Sequence, residues 1–195
     1  MANLSQDRSE AARIRRLSWM RIEHSFWMAG AGDLRVGDQM RRVVRLEDGS
    51  ILNRYWDDSE TPRDESWRED VALAATSTRP AGELWRDLRA AAESGWDFSS
   101  RWMRDGASLI TIQTTRFVPV DLNCLLHGLE RSIAREAALL GDQPTADQFD
   151  ALAADRHRAI DIHLWNEVDG HYVDLSLDEG PGHGQLTAAA AFPGP

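Results

Sequence analysis

Lysine is missing from this 195-residue chain: all 22 basic residues are arginine. Schiff-base catalysis, a pyridoxal-phosphate anchor and a P-loop phosphate grip each need that amine, so all three are excluded. Cysteine is almost missing too. Cys124 stands alone, which rules out an intrachain disulfide and leaves the compartment unread. Within Asn123-Cys124-Leu125-Leu126 it reads as a small buried hydrophobe. No apolar run approaches membrane-spanning length, and the N-terminus is too polar for a secretory signal peptide. Positive charge is short, with 22 basic against 32 acidic residues and a formal net charge of −10. That balance argues against nucleic acid or an anionic membrane as partner, since both require a basic face. His157 and His163 are too irregularly spaced from His171 and His183 for a zinc site, and no cysteine supports them. Neither metal nor cofactor is expected.

What is present suits one globular domain spanning residues 1–195, with 42% hydrophobic and 28% charged residues. The reading is mainly helical. From about Leu4 to Met28, the spacing of Ile14, Leu17, Met20, His24 and Trp27 predicts one face of a long helix. Arg41–Leu46 and Ile51–Tyr55 flank Asp48-Gly49 and predict a short hairpin. A helix opens at Ser66 or Trp67 and runs to about Thr76. Another is bracketed by Pro80 and Gly95, with Leu84, Trp85, Leu88 and Ala92 inward. Asp121 is read as the cap of an apolar helix over about Leu122–Leu140, and Thr145 as the cap of the next, which carries Phe149, Leu152, Ile160 and Leu164 on one side. Asp169-Gly170 predicts a second hairpin, and Thr187–Phe192 a helix cut off as it begins.

Chemistry concentrates in Glu93-Ser94-Gly95-Trp96-Asp97-Phe98-Ser99-Ser100-Arg101-Trp102. Aromatic walls around one acid suit a sugar pocket: rings cover the apolar C–H faces and shield the carboxyl so that it holds a proton more readily. Asp97 also lies just past a helix C-terminus, whose partial negative charge works in the same direction. Arg101 would counter this if it turned inward, and the sequence does not give its direction. On these ten residues alone, a loop pinned to a core with Asp97 as a helix cap is the favoured reading.

Three further stretches change that balance. They are Leu52-Asn53-Arg54-Tyr55-Trp56-Asp57-Asp58 leading into Thr61–Asp70, then Thr114–Asn123, then Asp169-Gly170-His171-Tyr172-Val173-Asp174. In this order and spacing the four segments closely resemble the middle of an α,α-trehalase of glycoside hydrolase family 37, from about Phe26 to Phe192. The resemblance implies a mainly α fold, part of an (α/α)6 toroid of six inner and six outer helices, here an incomplete toroid of about half the ring with short β-hairpins in the loops. It makes Asp97 the general acid, Arg63 and Glu65 the residues holding hydroxyls of the leaving glucose, and the Gly95 carbonyl and Trp96 further sugar contacts. Asp64 stands where the family usually has proline, and Leu175-Ser176-Leu177 replaces the Tyr-Asp-Trp that usually follows the acid at Asp174.

By the same resemblance the chain is expected to be an internal piece, without the family's N-terminal block and the C-terminal block that supplies the catalytic base. The implied function is the acid-bearing segment of an inverting glycosidase that cleaves α,α-trehalose, with no cofactor. The competing readings are a catalytically inactive sugar-binding helical module and a toroid glycosidase for another α-glucoside. An open half-ring would leave apolar helix faces uncovered and predicts marginal stability or self-association. Localisation is expected to be soluble, periplasmic or cytoplasmic.

Overall fold

The computed structural model describes residues 9–180 and 186–192. Ser9 accepts a hydrogen bond from the Ala12 amide and starts α1 (Glu10–Trp27). The segment 4–8, placed in this helix from sequence, and His183 lie outside the described residues. Leu17 and His24 are buried, but Ile14, expected on the same face, is 53% exposed. The apolar stripe is covered where Leu17 packs on Ile133, Ala137 and Phe149, and Ile14 lies at its margin. A three-stranded antiparallel sheet follows, with β1 (Gln39–Met40), β2 (Val43–Arg45) and β3 (Ile51–Asn53). Val44 faces Leu52 in register, and the Asp48-Gly49 turn closes the β2–β3 hairpin as predicted, with Gly49 at φ +87°.

The helices α2 (Trp67–Ala75) and α3 (Ala81–Ser94) match their sequence brackets, Pro80 standing at the N-cap of α3 and Gly95 at its C-cap. β4 (Phe117–Val118) leads into α4 (Val120–Leu139), which turns through Gly141 into α5 (Gln143–His163). Both predicted caps of this pair are corrected. Pro119 occupies the N-cap of α4, and Asp121 sits inside the first turn with its carboxylate drawn to side chains elsewhere. At α5 the cap is Asp142, which accepts from the Thr145 amide at 3.2 Å; Pro144 fits the first turn because its missing N–H has no helical partner there. β5 (Trp165–Asn166) and β6 (His171–Tyr172) form the second hairpin, β7 (Leu175–Ser176) pairs with β4, and a short 3-10 turn covers Ala188–Ala191.

Three apolar clusters hold these elements. One surrounds Trp102, fully buried against Tyr55, Leu88, Ile112 and Phe117, with Trp96 and Phe98 packed on its edge. A second joins Val44 and Leu52 to Val118, Ile160 and Leu175; half-buried Cys124 packs against it, and burial pushes its thiol up to about 11. The third packs Leu17 on Ile133, Ala137 and Phe149. Between them runs a buried polar network. Asn53 and Asn123 exchange backbone and side-chain bonds at 2.9 Å; Arg156 donates to both side-chain oxygens and to Glu130, which also meets His24 Nε2 at 3.3 Å. Every charge in it is answered, which buried polar groups require.

Candidate functional site

Gly95 ends α3 in the left-handed region, φ +72°, its N–H donating back to the Ala92 carbonyl. A side chain there would meet nothing within 4 Å, so the backbone angle, not space, demands glycine, and the residue is exposed. The chain then doubles back. The Trp96 carbonyl accepts the Ser99 amide and the Trp102 indole, and the Trp96 indole donates to Asp121 Oδ2 at 2.8 Å. Asp97 is exposed at the tip of this turn. The aromatic enclosure expected around its carboxyl is therefore open: Phe98 and Trp96 pack inward on the Trp102 cluster rather than closing over it.

Arg101 turns inward, the direction left open by the sequence, and is 5% exposed. Its Nε and Nη2 donate to Asp174 at 2.7 and 2.6 Å, and Nη2 also to Asp121 Oδ1 at 2.9 Å. Burial works against that charge, but Asp174 and Asp121 more than offset it and the guanidinium is held above its ordinary value. Burial likewise pushes the Asp174 carboxyl up against the pull of Arg101 and of the Val120 amide. Asp121 thus holds the loop on both sides of Asp97, by the Trp96 indole before it and the Arg101 guanidinium four residues after it. The loop is fixed at two points to the start of α4.

Arg63 reaches the same patch from the other side. Its Nε and Nη2 grip the buried carboxylate of Asp70, in the first half of α2, at 3.0 and 2.7 Å, and its own amide bonds Asp70 Oδ2 at 2.9 Å. The guanidinium lies 4.7 Å from the Phe98 ring centre. The Asp70 hydrogen bond raises its basicity most, and the fields of Glu65 and Asp97 add to it, so these carboxylates lie within electrostatic reach. Glu65 is exposed on the following 3-10 turn, Asp64–Ser66, and the Pro62 carbonyl is tied to α3 by Arg89. The structure therefore brings Arg63, Phe98 and Asp97 together, with Glu65 on the adjoining turn. Trp96 contributes a wall whose polar edge is already bonded. Asp70, Asp121 and Asp174 as anchors were missed by sequence reasoning, for no local pattern marks them.

Two cavities of about 490 and 450 Å³ are lined by other residues. No group of three or more His, Cys, Asp or Glu among the described residues is arranged to hold a metal ion. No described helix is long and apolar enough to cross a membrane.

Comparison with known proteins adds the relationship. A protein-family model described as Trehalase matches residues 1–193. The periplasmic trehalase of Salmonella agona (strain SL483) is 53% identical over 191 residues, covering 97% of this chain and 34% of that protein. The periplasmic trehalase of Salmonella schwarzengrund (strain CVM19633) gives the same figures. The chain spans about a third of the length of the curated relatives it matches.

Proposed function

Because the chain belongs to the trehalase family, we propose that it is the acid-bearing segment of an inverting glycosidase that cleaves α,α-trehalose to glucose. The observation that carries this reading is the double anchoring of the Asp97 loop opposite an Arg63 fork already aligned by Asp70. Trehalose joins two anomeric carbons, so the departing group is a sugar hydroxyl that leaves badly unless protonated. Asp97, projecting from a fixed turn, delivers that proton to the glycosidic oxygen. A second carboxylate from residues not among those matched here, roughly 6.5–9.5 Å away, activates water on the opposite face. Arg63 offers the guanidinium N–H groups not engaged by Asp70 to hydroxyls of the leaving glucose, while the Glu65 carboxylate accepts from them. Gly95 presents its carbonyl and Trp96 an apolar wall.

The described helices and hairpins form part of an (α/α)6 toroid in this reading, and a periplasmic location is supported by the relatives' names, periplasmic trehalase. The exposure of Asp97 favours one alternative, a sugar-binding module without turnover.

The decisive experiment is a chimera in which these 195 residues replace the matching third of the Salmonella agona periplasmic trehalase. Asp97→Asn in that chimera is expected to lower kcat by about 10²–10⁴-fold, as general-acid loss does. The amide keeps shape and a hydrogen bond, so affinity for a nonhydrolysable trehalose analogue stays near the parent's. Near-normal turnover in the variant would make Asp97 a structural residue and remove the reading.

A further inference from the structure

The first half of α3, away from its Gly95 end, borders a cluster of arginines. A cavity of about 450 Å³ opens between β1, the chain after β3, the start of α3 and the 3-10 turn Thr114–Arg116. Four guanidiniums from separate segments line it: Arg54, Arg79, Arg86 and Arg116. In a chain with net charge −10 and no lysine, such a convergence is not a property of average surface.

Arg54 is the centre of the cluster and is 3% exposed. It donates to the Arg41 carbonyl at 2.7 Å, the Thr115 carbonyl at 2.8 Å and the Gln39 side-chain oxygen, all uncharged acceptors, and no ion pair with a described carboxylate is formed. Trp56 lies between the Arg54 and Arg86 guanidiniums at 4.7 and 4.6 Å, which fixes both planes. Burial first, and then the nearby Arg116 charge, push Arg54 down to about 10; Asp87 pulls against them, and Arg86 adds a lesser push.

Two acids share the wall. Asp87 is buried and already accepts Arg79, the Thr115 amide and the Thr115 hydroxyl, while Glu83 is exposed. The wall as a whole carries four guanidiniums against these two carboxylates. The outer partners of Arg86 and Arg116, Glu60 and Asp178, are 59% and 46% exposed. Pairs of that kind are weak and yield to a better anion.

We propose that this cavity binds a phosphate dianion, free or as the head group of a small phosphate monoester. Guanidinium forks approaching from several directions match a tetrahedral oxyanion better than a planar carboxylate. The volume exceeds that of the anion alone and falls within the usual range of small-molecule pockets, leaving room for an attached group. The site is independent of Asp97 and of the glycosidase reading.

Isothermal titration of the 195-residue protein with inorganic phosphate and, separately, glucose 6-phosphate tests it, with sodium chloride of equal ionic strength as the reference. Saturable one-to-one binding that weakens with salt is expected. Tighter binding of the monoester would assign the rest of the cavity to its sugar part; equal binding would assign free phosphate. Arg116→Gln, at the rim, should weaken either ligand by about ten- to hundredfold, and Arg54→Met should abolish binding. Arg131→Gln, an exposed charge on α4, should change nothing. If Arg54→Met fails to fold, Arg86→Gln takes its place. Phosphate heats no different from chloride, or equal losses in Arg116→Gln and Arg131→Gln, would overturn the proposal.

Discussion

Asp70 never needs to touch a sugar to matter for one. It holds the Arg63 fork by two parallel bonds, and its own side chain is buried. In the chimera, Asp70→Asn should therefore raise KM for trehalose with less effect on kcat, because a neutral amide lets the fork swing. The exposed Glu65 separates binding from folding more cleanly. Glu65→Gln should weaken a trehalose-like inhibitor by about ten- to hundredfold, the worth of one charged hydrogen bond, while the melting temperature stays put. Inhibitor titration paired with calorimetry reads both; a fall in melting temperature with unchanged affinity would make Glu65 structural. At this scale the helix stop at Gly95 was legible because it is a local signal. The anchors were not: Asp121 lies 25 residues from the indole it holds, and Asp174 lies 73 from Arg101. Such distances are closed by tertiary packing, which leaves no mark in spacing.

Turns and caps follow the same rule among elements. Asp48-Gly49 and Gly95 were legible because glycine at positive φ is a backbone requirement. Asp121 was misread as a cap since an acid near a helix start has more than one use, and here a nearby arginine and indole prevailed. The β2–β3 turn offers a test of linkage to α5. Slight burial works to raise the Asp48 carboxyl, but the Ser50 amide, His163 at 2.8 Å and the Ser50 hydroxyl together hold it below 3.8. A carboxyl held low contributes stability that is complete above that value and fades as pH falls through the lower, folded one. His163→Gln should remove part of this, so thermal melts of parent and variant should differ near neutrality and converge in strong acid. Parallel curves at every pH would show that the contact contributes nothing.

At the scale of the molecule, α1 carries an exposed apolar stripe. Trp19, Ile22 and Phe26 on α1 are 56%, 65% and 47% exposed. They follow one another at spacings of three and four and make a continuous stripe. Sedimentation of the 195-residue polypeptide should show concentration-dependent association that Ile22→Glu reduces; a monomer at all concentrations would refute this. The same polypeptide should release no glucose from trehalose, since the proposed function draws its opposing carboxylate from outside these residues, and release above an Asp97→Asn control would contradict that. Helical class, both hairpins and the order of elements were legible from periodicity and turn residues. Which faces were covered was not, as Ile14 shows.

The Asn53–Asn123–Arg156–Glu130–His24 network also sets an order in time. His24 and Glu130 are 106 residues apart, and Asn53 and Arg156 are 103 apart. Closing such loops is slow, whereas α4 and α5 are joined by a tight turn and can pair early. The hairpin and α1 can lock only onto a helix pair already formed. The Asn53 amide, buried and bonded across this junction at 2.9 Å, should then exchange its proton only when the whole domain opens, while amides at the exposed Asp97 turn exchange through small local excursions. With both ends of the proposed proton-donating loop held by Asp121, only its exposed tip would open, on a frame that releases its own protons last.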